Sequence, residues 1–276
     1  MSTLSPIEYD MATRPPMRFN CYSASSWKSR LALNFKKLPY SSSWVHRIKV
    51  PQALRPLDVS TTRRFEDGSN YHTLAIVVDP STNAKLGGSF QIATYLQEIY
   101  PTSGAGDLFP PQDLDFGLNK DRAVSESPAE RMDTRYEEYF KFNTAVDAAF
   151  TFHASLMNYQ IRFDPGMTDE NKADFVRHAS VSSSADFDVK GKEREKLKKS
   201  LWIMMGDLAR LFLRDTSGPF LLGQQATYAD IIVGAWLRMM SVKLPGNEWK
   251  EVKGWHLGVF GNLHDALEEF AEVQVD

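Results

Sequence analysis

Four small residues, Ser23-Ala24-Ser25-Ser26, sit where the sequence changes its period. Before them, Met17, Phe19 and Cys21 alternate with Arg18, Asn20 and Tyr22, the period-2 mark of a short strand. After them, Trp27, Leu31 and Phe35 recur every four residues, with Lys28, Arg30, Lys36 and Lys37 off that stripe. That spacing predicts an amphipathic helix, ended at Leu38-Pro39-Tyr40 because proline cannot continue one. A strand feeding a serine-rich turn at a helix N-terminus gathers hydroxyls, free amide N–H groups and the positive end of the helix dipole. Such a spot suits an anion, a thiolate included. The bland reading of the same cluster is that one serine simply caps the helix. Cys21 shares the apolar phase with Phe19, which predicts a buried, inert thiol.

The rest of the composition narrows the class. At 276 residues the chain suits one large or two modest domains, and an apolar fraction of 42% supports a real core. A net charge of −3 gives no footprint for nucleic acid. No apolar run approaches the roughly 20 residues of a membrane span, so no membrane partner is expected. A single cysteine argues against a disulfide framework and a cysteine-rich zinc site, and no metal is expected. The opening MSTLSPIEYDMATRPP lacks the apolar core of a secretory signal, which points to a cytoplasmic protein.

Four regions follow from the patterning. Residues 1–16 read as a flexible lead-in closed by Pro15-Pro16. Residues 17–101 read as an α+β unit: the strand and helix above, a second strand near Ser43–Ile48, and a loop over 50–70 with a short helix. The unit closes with a strong strand over 71–78, a turn, a short partner at 84–86 and a helix from Gly88-Ser89. Residues 102–128 read as a linker rich in Gly, Pro and Asp, and residues 129–276 as helical. Ser180 to Ser184 reads as an excursion within that half. Thr227 and Asp230 form a capping-box pattern ahead of an apolar run that predicts a buried helix.

Five segments in this order resemble the cytosolic glutathione transferases, above all the fungal class called FuA, related to the bacterial beta-etherases. They are SASSWKSRLALNFKKLPY, YHTLAIVVDP, GSFQIATYLQEIYP, PFLLGQQATYADIIVGAWL and WKEVKGWHLGVFGNLHDALEEF. The resemblance covers about residues 17–270. It implies a thioredoxin-like N-terminal domain followed by an all-helical C-terminal domain, with glutathione as co-substrate and a homodimer as the usual assembly. It implies a hydrophobic small molecule as the other substrate, of the kind met in specialised metabolism.

By the same resemblance Ser23 falls on the catalytic serine, with Tyr22 and Cys21 as rivals and Ser25 and Ser26 as caps or secondary donors. Ser89 falls on the serine that holds the γ-glutamyl carboxylate, and Ile76 on the residue whose backbone pairs with the cysteinyl part. Two positions depart from the family. Ala75 stands where the family has a cis proline, and the roughly 3 kcal/mol cost of a non-proline cis bond predicts a trans one. Gly88 stands where the family has an acidic partner for the γ-glutamyl amine. In the helical half, Tyr136, Phe140, Asn143 and Phe150 fall on or beside one helical face and, with Tyr22, are the candidate lining of the hydrophobic pocket. Plain core is their alternative reading. Asn143 interrupts the stripe, and an inward polar residue needs a partner or a ligand. The resemblance leaves three functions open: a transferase, a glutathione-independent isomerase or cyclase, and a non-catalytic ligandin.

Overall fold

The structure, a computed structural model, describes residues 5–13, 15–59, 63–64, 70–71, 74–115, 134–158, 169, 173 and 189–274. Its first strand, β1 (Ile7–Met11), lies inside the segment expected to be a flexible lead-in. The expected strand at Met17–Tyr22 is instead a short helical turn, α1 (Met17–Asn20), entered from Pro16 in an extended conformation. Six alternating residues were too few to separate the two periods, and Phe19 ends up exposed. β1 escaped notice because its alternation is inverted. The residues it buries are Glu8 and Asp10, not its apolar ones. They are tolerated because Nη2 of Arg30 bridges them, 2.8 Å from Glu8 Oε2 and 2.9 Å from Asp10 Oδ2.

The second helix, α2 (Ala24–Phe35), is buried on nearly all sides, with Trp27, Leu31, Leu33 and Phe35 in the core. β2 (Ser41–Val45) follows and pairs parallel with β1. A short helix α3 (Val50–Leu54) and a small hairpin, β3 (Arg63–Arg64) with β4 (Asn70–Tyr71), come next. β5 (Ile76–Asp79) pairs antiparallel with β1 and with β6 (Ala84–Gly87), giving the sheet order β2-β1-β5-β6. In the tight turn between them Asn83 adopts φ 59°, a conformation asparagine tolerates. Asp79 fixes that turn by accepting from Ser81 and from the hydroxyls of Tyr95 and Tyr100. α4 (Ser89–Ile99) then packs beside α2.

The described part of the expected linker is not a spacer. Leu108, Phe109 and Leu114 are buried in the main core, and Leu108 C=O accepts from Tyr228 N–H at 2.7 Å. Among the described residues, the helical half has α5 (Glu137–Phe152), α6 (Gly191–Phe212), α7 (Tyr228–Lys243), α8 (Gly246–Gly254) and α9 (Val259–Ala266). α7 is the buried axis, with Ile231, Ile232, Val233, Ala235 and Leu237 fully enclosed. Its capping box is formed: Asp230 Oδ2 accepts from Thr227 N–H and from the Thr227 hydroxyl, each at 2.8 Å. Ser180 to Ser184 lies outside the described residues.

Candidate functional site between two helix N-termini

Ser23 is the N-cap of α2. Its Oγ accepts from Ser26 N–H at 3.3 Å, and its C=O accepts from Trp27 N–H at 2.9 Å. The cap and the chemistry are compatible. A hydroxyl that accepts from its own helix still has its proton to donate outward. Ser23 and Ser25 are partly open, whereas Ser26 is fully buried and its hydroxyl has no partner among the described residues. The segment before the cap is anchored from behind: Trp27 Nε1 donates to Cys21 C=O at 3.1 Å. Cys21 is buried as expected, its Sγ 3.7 Å from Arg30 Nη1. Burial pushes its thiol up to about 12, against the pull of the Arg30 guanidinium, so it is not a nucleophile. Tyr22 turns toward the helical half, with Lys243 Nζ 4.4 Å above its ring.

The second helix N-terminus is Gly88-Ser89. Gly88 has φ 89°, open to glycine but strained for any L side chain, which explains why an acidic residue is unsuited to this backbone. Gly88 N–H donates to Ala75 C=O at 3.2 Å, and Ile76 pairs with Gly87. Contrary to expectation, the Leu74–Ala75 bond is cis, with Ala75 C=O turned to meet that donor. Ala75, Ile76, Gly88 and Ser89 therefore form one corner of the N-terminal half. Ser89 opens α4 and is buried.

One helix of the other half touches both of these helix ends. Phe140 of α5 packs edge-on against Phe90, in the first turn of α4, at 5.3 Å. Asn143, one turn on, accepts from Lys28 Nζ at 2.7 Å, in the second turn of α2. Of the proposed pocket residues, Tyr136 and Phe140 are half-buried, Tyr136 stacked on Phe109 at 4.1 Å. Phe150 is not a lining residue: it is fully buried and stacks on Trp236 at 5.3 Å. Asn143 has its partner inside the protein. Lys28, Asp147 and Trp236 were missed in the sequence, since a lysine on a helix reads as solvated. Its one signal was position: Lys28 immediately follows Trp27, on the buried side of α2. Among the described residues no three metal-binding side chains cluster, and no helix is long and apolar enough to cross a membrane.

A small mixed sheet with helices, followed by an all-helical half and with a serine-capped helix at the junction, is the glutathione S-transferase fold. Residues 142–270 match the family model described as glutathione S-transferase, C-terminal domain. The glutathione S-transferase-like protein ustS of Aspergillus flavus is 24% identical over 98% of this chain and 92% of its own. Two solved structures share the fold over nearly their whole lengths. One is the glutathione S-transferase CsGST63524 of Ceriporiopsis subvermispora in complex with glutathione, at 22% identity and TM-score 0.76, with 98% of this chain and 99% of that one covered. The other is glutathione transferase GSTFuA3 of Phanerochaete chrysosporium, at 20% identity and TM-score 0.74, with 99% and 100% covered. The chain is thus glutathione S-transferase-like, and the resemblance to the fungal FuA class stands.

Proposed function

We propose that this protein is a glutathione S-transferase-like enzyme that joins the thiol of glutathione to a hydrophobic small molecule, with Ser23 assisting thiol ionisation. The observation that carries this reading is Ser23 itself: a partly open N-cap hydroxyl with its proton free, at the positive end of a 12-residue helix. A cysteine-type thiol ionises near 8.5. A hydroxyl donor and a helix N-terminus both favour the thiolate, the nucleophilic form. Glutathione would lie along the corner formed by Ala75, Ile76, Gly88 and Ser89, its γ-glutamyl carboxylate at the start of α4. The electrophile would meet it at Tyr136 and Phe140. In this reading the protein is a cytoplasmic homodimer without a metal.

Gly88 favours a second reading. It offers no charged partner to the γ-glutamyl amine, an interaction of about 1.5–3 kcal/mol. A glutathione-independent isomerase or cyclase, or a ligandin, would not need it. Calorimetric titration with glutathione separates the readings. A dissociation constant below about 1 mM supports the transferase. One above about 10 mM, weaker than roughly −3 kcal/mol, removes it.

A further inference from the structure

The Ser23 turn is held from the helical half, and the strongest hold is a buried cation. Lys28 lies in the second turn of α2, five positions beyond Ser23, with its side chain enclosed. Its Nζ donates to Asn143 Oδ1 at 2.7 Å and to Asp147 Oδ1 at 2.5 Å. Asp147 Oδ1 also accepts from Trp236 Nε1 at 2.7 Å. One side chain of α2 is thereby tied to successive turns of α5 and, through Asp147, to the buried helix α7. Two further cations touch the same region from α7: Arg238 lies 5.2 Å over the Trp27 ring, and Lys243 lies over Tyr22.

The arrangement divides the labour. Ser23, Ala75, Ile76, Gly88 and Ser89 all belong to the N-terminal half. Phe140 belongs to α5, the helix that Lys28 grips, and Tyr136 stands at its N-cap. We infer that Lys28 is a positioning residue, which sets the distance and angle between the Ser23 turn and the α5 face where the second substrate docks. This rests on the transferase reading for its kinetic consequence, but not for its structural one. Misplacing two reactants by about an ångström costs on the order of a hundredfold in rate while leaving the binding of each alone largely intact.

Lys28→Met keeps the length and removes the charge. The carboxylate it abandons stays partly open to water and keeps its Trp236 donor, so the variant should fold. Asn143→Leu removes one of the two acceptors at similar volume and serves as the second variant. Three quantities decide the matter: the glutathione dissociation constant, kcat for addition to 1-chloro-2,4-dinitrobenzene, and amide exchange over residues 22–27. In Lys28→Met we expect glutathione affinity within about twofold of the parent, kcat lower by at least about tenfold, and exchange over 22–27 faster by at least about tenfold with β5 unaltered. Asn143→Leu should fall between. Unchanged exchange over 22–27 overturns the inference. So does a loss of kcat matched by an equal loss of glutathione affinity, which marks general unfolding of the site. If the parent binds no glutathione, the transferase reading falls alone, and the exchange measurement still decides whether Lys28 positions the turn.

Discussion

Three side chains in succession, Cys21, Tyr22 and Ser23, could each have carried a thiol reaction, and their surroundings separate them. Cys21 is sealed in, with its thiol pushed up to about 12, and Tyr22 faces Lys243 of the helical half. Ser23 alone sits partly open at a helix N-terminus. Ser23→Ala should lower kcat for thiol addition by at least about tenfold, near 1.4 kcal/mol of transition-state stabilisation, while Tyr22→Phe changes it little. Steady-state kinetics on both variants checks this, and the reverse order would move the role to Tyr22. A second residue-scale expectation concerns Glu8. Burial pushes its carboxyl up to about 8, against the Arg30 guanidinium and with the help of Asp10, and Cys21 and Tyr40 are its other titratable neighbours. The folded protein then holds a proton that the unfolded chain releases near 4.5. Stability from this group is full below about pH 4.5 and is lost as pH rises to about 8, at on the order of 1 kcal/mol per pH unit. Glu8→Gln, a neutral isostere, should flatten that slope in urea melts taken from pH 5 to 9. An unaltered slope would place the proton elsewhere.

At the scale of elements, α7 depends on how it begins and on what lies against its middle. Asp230 is enclosed and accepts from Leu221 N–H at 2.8 Å as well as from Thr227, so it joins the cap to the preceding loop. Burial raises its carboxyl to about 6, opposed by those donors. Asp230→Ala takes the acceptor from three buried donors and should cost about 2–4 kcal/mol. Thr227→Ala should cost about 1 kcal/mol, and both should leave the pH profile of any activity in place. Equal melting temperatures for parent and variants would show that the box contributes nothing. Halfway along α7, Gly234 faces Leu267, whose Cδ1 would lie 2.1 Å from an added Cβ. Leu267 is buried, so it can make room only by displacing its core neighbours. Gly234→Ala, although a better helix former, should therefore destabilise by about 1–3 kcal/mol. A rise in melting temperature would show that the helix and its neighbour part easily.

At the scale of the molecule, the end of the chain returns to the first domain. Asn34 Nδ2 donates to Phe270 C=O at 2.7 Å and to Glu272 C=O at 2.8 Å, the Tyr40 hydroxyl donates to Glu272 C=O at 3.0 Å, and Gln274 C=O accepts from Ser42 N–H at 3.1 Å. Truncation after Ala271 deletes most of these contacts beside the edge strand β2. At about 1 kcal/mol net for each hydrogen bond lost, and about 2–4 °C per kcal/mol at this size, the melting temperature should fall by several degrees. A melting temperature equal to the parent's would make the tail ornamental.

The elements that follow an ordinary pattern were readable in advance. α2, α4, α6 and the capped α7 each carry an apolar stripe with a recognisable start or stop, and such local signals do not depend on the rest of the chain. The serine turn was readable for the same reason, because a helix N-terminus is a local object. What inverted the ordinary pattern was not readable. β1 buries two acidic side chains, Lys28 is an enclosed ammonium, and Leu108 and Leu114 complete the core from a segment that reads as a spacer. Each is stable only because a partner distant in sequence satisfies it: Arg30 for Glu8 and Asp10, Asn143 and Asp147 for Lys28. Burial of a charge is unfavourable in isolation and acceptable when paired, and pairing across 20 or 115 positions is decided when the two halves pack, not along the chain.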